Sequence, residues 1–511
     1  MTTLMRYAGV GIVCLGLTMF ATGCGAKKTG GPVLELLPIE GNPLVSLRIV
    51  LNVGSAHDPA GKEGLAQLAL NLLANGGSRD LTFQQISERF YPMAARLGLR
   101  VEKEMSAFSG TVHVDNLEAY YAILRGMLLE PGFREEDFTR IKTNQVNFLE
   151  RTLVNNMDEQ FGKEILNLML YEEHPFGRNE AGTVESVSNL TLDDIRSFHK
   201  EHFLRGNFTI GLAGGYPAGF AEKAAADFAA LPEGSTPKAV LPAPRMPSGL
   251  EFMIAEKQTP ATAISMGFPV NLTRADKDFF ALWIAGAHFG EHRQSLSLLF
   301  QKIREERGQN YGNYAYIEHF IQGRDKFPAT NYARQQQYFS IWIRPLANSN
   351  RHFVIRQALR ELRKLVEEGI SEERFELTRT YLLNYTRLYA QTLDERIGWQ
   401  IDSRHYGYRD FLDEVQKRLP RITREDVNRA IRKHLNFDNV MIAVITEDAE
   451  SLRDALIADT PSPISYANPN MPAEILQEDL VIQSYALRVR PENVRIAPAS
   501  AFFRKTGLPM E

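Results

Sequence analysis

LTLDDIRSFHKEHFLRGNFTIGLA, residues 190–213, and ITREDVNRAIRKHLNFDNVMIAVI, residues 422–445, are two copies of one pattern. At a constant offset of 232 residues, with no gap, Thr191 meets Thr423 and Asp194 meets Asp426. His202 likewise meets His434, Asn207 meets Asn439, and Ile210 meets Ile442. Each copy reads as a capped helix, a turn and a buried strand. Because each lies near the end of one half of the chain, the pattern predicts two related domains of roughly 200 residues each. Each half mixes strands with long amphipathic helices. The expected class is therefore α+β, with helices packed on largely antiparallel sheets.

Working outward, the Pro-rich stretch LPEGSTPKAVLPAPRMPSG, residues 231–249, separates the copies. The expected division is a first domain at 33–235, a linker at 236–249, a second domain at 250–460 and an irregular, Pro-rich tail at 461–511. Within the first domain, residues 44–53 read as a strand. A helix is expected from about Leu65 to Ala74, and Thr82 is placed to cap a further helix running to Leu97. LRVEKEMSAFSGTVHV, residues 99–114, alternates like one half-exposed strand.

The 511 residues are 44% hydrophobic and 23% charged, an ordinary globular balance in a chain long enough for several cores. Net charge is -4 and no Lys/Arg block occurs, which excludes a phosphate-backbone binder. The two cysteines, Cys14 and Cys24, both lie near the N-terminus, so the body carries neither a disulfide framework nor cysteine-held zinc. Residues 1–23 read as a signal peptide: Arg6, then a short apolar run from Tyr7 to Phe20. The run ends in Ala21-Thr22-Gly23-Cys24, which resembles a bacterial lipobox. Cys24 is the expected lipidation site, followed by a tether at 24–32, with several acyl chains giving stable anchoring. No Asp follows Cys24, so the expected location is the outer membrane, facing the periplasm.

Three stretches carry a family resemblance by their order and spacing. They are GSAHDPAGKEGLAQLALNLL from Gly54, HPFGRNEAGTVESVSNLTLDDIRSFHKEHF from His174, and LSLLFQKIREERGQNYGNYAY from Leu296. They resemble the insulinase/pitrilysin family of zinc metallopeptidases across roughly residues 33–500, and PSPISYANPNMPAEILQEDL from Pro461 resembles a tail of bacterial members. The resemblance implies two homologous α/β-roll domains of the mitochondrial-processing-peptidase-like metallohydrolase fold, which enclose unfolded peptides in pairs.

Active members carry H-x-x-E-H on a helix, two imidazoles on one face to hold zinc and a glutamate to polarise water. The matching slots here are Gln67, Leu70 and Asn71. Carboxamides are poor substitutes for imidazole on zinc, and leucine takes no proton. The family's third ligand falls at or near Phe148, with Glu150 two residues on. No metal is expected at these slots. HFGEH, with His288, Glu291 and His292, has the inverted motif's spelling but sits in the second half, with Gly290 marking a helix end.

The family also uses an Arg and a Tyr seven residues apart from its second domain, here Arg304 and Tyr311, with Arg307 the rival. A guanidinium and a phenol aimed at a carbonyl stabilise the charge that builds there. Arg304 read alone is one charge on a solvated helix face, and Tyr311 a core aromatic. In the family, an edge strand like residues 99–114 pairs with extended peptides, although an interior strand reads the same way.

The expected function is a non-catalytic, substrate-holding subunit, inactive alone. Its partner would be a homologous chain carrying H-x-x-E-H and the zinc. Extended peptides are the expected ligands, and the membrane is met only through the lipid anchor. A structural or peptide-binding protein without hydrolase activity is the alternative. An active enzyme using His288, Glu291 and His292 is the third reading.

Overall fold

A computed structural model describes residues 30–320, 327–466, 468 and 470–509. The signal segment and Cys24 lie outside the described residues. Among the described residues, eleven strands form two sheets. The first contains β1 (Val33–Pro38), β2 (Leu44–Leu51), β3 (Gly98–Val101), β4 (Ser106–His113) and β5 (Phe208–Gly214), in the order β1-β5-β2-β4-β3. The second contains β6 (Leu250–Glu256), β7 (Thr262–Val270), β8 (Asn310–Tyr316), β9 (Gln337–Leu346), β10 (Val440–Thr446) and β11 (Val494–Pro498). Its order, β11-β6-β10-β7-β9-β8, repeats the first sheet and adds one strand. In each sheet the first and last strands of the repeat pair in parallel, and the other ladders of the repeat are antiparallel.

The duplication is visible at atomic level. Helices Leu192–His202 and Arg424–His434 both begin at a threonine whose side chain accepts from the backbone N–H of an aspartate three residues on. Each aspartate returns a bond to its threonine's N–H, so two otherwise unpaired helix-end donors are satisfied at each end.

Alternation along the strands assigns their two faces. Val45, Leu47, Ile49 and Leu51 enter the core of the first domain. Ser46, Arg48 and Val50 point the other way, toward helix Leu393–His405 of the second domain. The reverse holds on β10: Val440, Ile442 and Val444 join the second domain's own core, while Met441, Ala443 and Ile445 meet helix Asp158–Leu170 of the first. Each sheet is thus roofed by a helix of the other domain, and its central strands, β2 and β5 in the first sheet and β7 and β10 in the second, are buried on both faces. Gly162 and Gly398 allow the close approach. A Cβ at Gly162 would stand 3.2 Å from Ser265 Oγ, and one at Gly398 would stand 2.2 Å from Thr330 Oγ1.

Three local expectations are corrected. The helix capped by Thr82 ends at Phe90, not Leu97, because Pro92 cannot continue it and Ala94 turns to φ 50°. Residues 99–114 form a hairpin, β3 and β4, rather than one strand; the charged run Glu102-Lys103-Glu104 makes the turn between them. The tail is not irregular throughout. It holds helix Ala473–Ile482, adds β11 beside β6, and seats Phe502 and Phe503 against Phe161 of the first domain.

Candidate functional site

Helix Leu65–Asn75 begins where Asp58 accepts from the N–H groups of Gly64 and Ala66, both at 2.8 Å, which fixes the helix start. Gln67 and Asn71, one turn apart, line a cavity of about 510 Å³ between the two domains. Phe148 lines the same cavity, at the start of a π-helical turn, Phe148–Leu153, that continues helix Glu135–Asn147. All three outward-facing slots are therefore brought together, whereas Leu70 is fully buried in the first domain's core. The donors do not fit zinc. Two neutral carboxamides and a phenyl ring replace two imidazoles and a carboxylate, and Asn71 Oδ1 already accepts from Asn75 Nδ2 at 2.6 Å. Glu150 points to the tail and pairs with Arg504 at 2.7 Å.

The cavity holds charges that the sequence reading missed. Lys103, in the β3–β4 turn, reaches Glu180 at 2.8 Å. Arg334, from the segment between β8 and β9, reaches Glu102 at 3.1 Å and Glu180 at 3.6 Å. Lys163 pairs with Glu159 at 2.9 Å and stands 3.4 Å from the ring centroid of Trp342. Burial raises Glu102, although Arg334 opposes it, and raises Glu164, aided by nearby Glu180. Burial pushes Glu180 the same way, but Lys103 and Arg334 outweigh it and hold that carboxyl low. Burial lowers Lys163 to about 8 against the pull of Glu159. The one signal in the sequence was the Glu-Lys-Glu run breaking an apolar alternation.

Arg304 and Tyr311 lie elsewhere. Arg304 belongs to a second π-helical turn, Phe300–Glu305, and Tyr311 to β8 at the edge of the second sheet. Gly308, at φ 62°, ends the helical turn and donates to Arg304 O at 2.7 Å. The Arg304 guanidinium sits between the rings of Phe300 and Tyr311, 4.6 Å from each centroid, and donates to Tyr311 O at 3.3 Å. Tyr311 is 67% exposed, so it is not a core aromatic. Arg307 is wholly buried and held by Glu306, Glu478 and Asp479 at 3.0, 2.9 and 2.9 Å. Neither Arg304 nor Tyr311 is among the residues lining the cavity.

HFGEH does not fold as a zinc helix. Helix Phe279–Gly290 ends inside it, and Glu291 follows with extended ψ of 139°. His288 stays on the helix near Arg374, where burial lowers it to about 4. His292 lies beyond the end, bonded to Tyr316 Oη at 2.6 Å, and burial lowers it to about 3. Burial raises Glu291 to about 7. Among the described residues no group of three His, Cys, Asp or Glu side chains is placed to hold a metal.

The insulinase (peptidase family M16) domain matches residues 38–184, and the peptidase M16 inactive domain matches residues 189–382, together about two thirds of the chain. The chain belongs to the insulinase (M16) family. This M16 chain is 23% identical over 425 residues to an uncharacterized zinc protease of Streptomyces coelicolor, covering 79% of this chain and 86% of the relative. It is 19% identical to a non-peptidase homolog of Helicobacter pylori, covering 79% and 89%. A solved peptidase M16 inactive domain from Pseudomonas fluorescens superposes with a TM-score of 0.70 at 22% identity, covering 82% of this chain and 96% of that one. That likeness establishes the shared M16 fold.

Proposed function

We propose that this chain is the non-catalytic, substrate-holding subunit of a two-chain zinc peptidase of the cell envelope. Its own H-x-x-E-H slots offer no zinc ligand and no proton acceptor, so the hydrolytic half falls to a homologous partner. The observation that carries the reading is the Arg304–Tyr311 pair, with Tyr311 exposed on the edge strand β8 and Arg304 partly exposed on the helical turn beside it, outside the chain's own cavity. Such a pair is free to hold the carbonyl of an extended peptide lying on the partner's zinc. Arg307 is already committed to the tail helix and is not a candidate for that role. The test is hydrolysis of an unfolded peptide by a reconstituted pair. Activity in the mixture, lost with Arg304→Ala or Tyr311→Phe, supports the reading.

Anchoring follows from Cys24. The chain would be lipidated there and held at the outer membrane, facing the periplasm. Labelled palmitate entering the wild type but not Cys24→Ala tests this part. A second reading, a peptide-binding protein with no hydrolase partner, is favoured by the non-peptidase name of the Helicobacter pylori relative. It predicts that no H-x-x-E-H-bearing homologue associates with the chain.

A further inference from the structure

The turn between helix and strand is covered in one copy of the repeat and open in the other. In the first copy, Arg205 pairs with Glu233 at 2.9 Å, and the Gly206 N–H donates to Gly234 O at 3.0 Å. The packing is so close that a Cβ on Gly206 would stand 2.6 Å from that oxygen. At the constant offset of 232, the second copy has Phe437 and Asp438 in these positions. Both line a cavity of about 280 Å³. Its other walls come from helix Arg351–Glu368, with Leu359 and Arg363, and from the stretch that follows the tail helix, with Tyr485 and Arg488.

The charges on these walls are of both signs and can be reached from solvent. Arg363 is partly engaged: it donates to Glu367 Oε1 at 2.9 Å, and its guanidinium stands 5.5 Å from the ring centroid of Phe437. Arg488 and Asp438 are exposed. Neither side chain has an ion-pair or hydrogen-bond partner among the described residues, and they do not pair with each other. Burial raises the Tyr485 phenol, Arg363 opposes that rise and Asp438 adds to it, so charges of both signs face one hydroxyl. The backbone of Arg488 holds φ at 53°, in the left-handed region that an arginine adopts only at a cost. Such strain persists where the surroundings fix the residue, and it concentrates at ligand sites.

This set of charges selects among ligands. A simple anion attracted by Arg488 and Arg363 is repelled by Asp438. A simple cation attracted by Asp438 is repelled by both arginines. A zwitterion satisfies both signs, with a carboxylate on the guanidinium of Arg488 and an ammonium on the carboxylate of Asp438. Leu359, Phe437 and Tyr485 offer apolar contact for what lies between and beside the charges.

We propose that this cavity is a binding site for a free α-amino acid with an apolar or aromatic side chain. It lies wholly within the second domain and its tail, apart from the Arg304–Tyr311 pair, and does not depend on a partner chain.

Titration calorimetry on the full chain tests it with phenylalanine, leucine, N-acetylphenylalanine and phenylalanine amide. Phenylalanine or leucine is expected to bind with a Kd at or below about 1 mM. N-acetylphenylalanine lacks the ammonium and phenylalanine amide lacks the carboxylate, and each is expected to bind at least about ten-fold more weakly than phenylalanine. Arg488→Gly removes the guanidinium while glycine accepts the positive φ without strain, so the variant is expected to fold and to lose at least about ten-fold in affinity. If circular dichroism shows that variant unfolded, Asp438→Asn replaces it with the same expected loss. No binding of either amino acid at about 1 mM overturns the proposal. So does equal affinity for either blocked analogue, or unchanged affinity in the folded variant.

Discussion

The guanidinium of Arg304 rests 4.6 Å from the ring centroid of Tyr311 and donates to that residue's own carbonyl oxygen. Arg304 is thereby oriented without a direct carboxylate hydrogen bond, its nearest being Glu305 at 3.9 Å. Three residues away, Arg307 has the opposite environment, fully buried among three carboxylates. Two arginines that look alike in QKIREERG therefore have different expected phenotypes.

For the pair itself, Arg304→Ala is expected to leave the fold intact, since Arg304 is partly exposed. Arg307→Ala is expected to cost about 3–5 kcal/mol, because Asp479 remains behind as a buried acid without its cation. Chemical denaturation of the two variants side by side checks the contrast. Equal stabilities would refute it.

The tail helix Ala473–Ile482 is fastened by Glu478, which meets Arg307, Lys302 and Arg360. Burial pushes its carboxyl up, but those cations outweigh it and hold it at about 2. The folded value lies below the ordinary glutamate value. The contribution is therefore complete above that range and disappears as pH falls through about 2. Amide-exchange protection of residues 473–482 should drop between pH 5 and pH 2, and Glu478→Gln should remove much of that dependence.

The C-terminal segment ties the two domains together. Phe502 and Phe503 are buried against Phe161, and the N–H groups of Val184 and Glu185 donate to Phe503 O and Arg504 O at 2.8 and 3.0 Å. Phe502→Ala is expected to destabilise the chain by about 3–5 kcal/mol. Truncation before β11 should in addition expose residues 184–186 to exchange. Unchanged protection there would mean that the segment is ornamental.

The geometry of the degenerate slots can be tested by rebuilding them. Gln67→His, Asn71→His and Phe148→Glu together place two imidazoles and a carboxylate around one point of the cavity wall. The triple variant is expected to bind zinc one-to-one, measured by metal analysis after dialysis. A triple variant that folds but takes up no zinc would show that the three slots do not converge.

Much of this architecture could be read before the fold was known, because its signals are local. Thr191 with Asp194, and Thr423 with Asp426, mark helix starts within four residues of sequence. Gln67 and Asn71 share a helical face by spacing alone. What escaped was tertiary. The alternate face of β10, Met441, Ala443 and Ile445, is as apolar as its core face, and nothing nearby says that a helix 270 or more residues upstream covers it. The tail helix misleads outright. It turns Glu478 and Asp479 inward to Arg307 and leaves Leu476, Leu480 and Val481 outside, the reverse of ordinary amphipathic order. The cavity charges come from separate segments, Lys103, Lys163, Glu180 and Arg334, which only the packing of the two domains brings together.

The most direct measurement is peptide hydrolysis by this chain alone, by an H-x-x-E-H-bearing homologue alone, and by the two mixed. The account predicts no turnover by this chain, and activity in the mixture that falls about 10²–10³-fold with Arg304→Ala in this chain. Turnover by the solitary chain, or a mixture indifferent to Arg304→Ala, would contradict it.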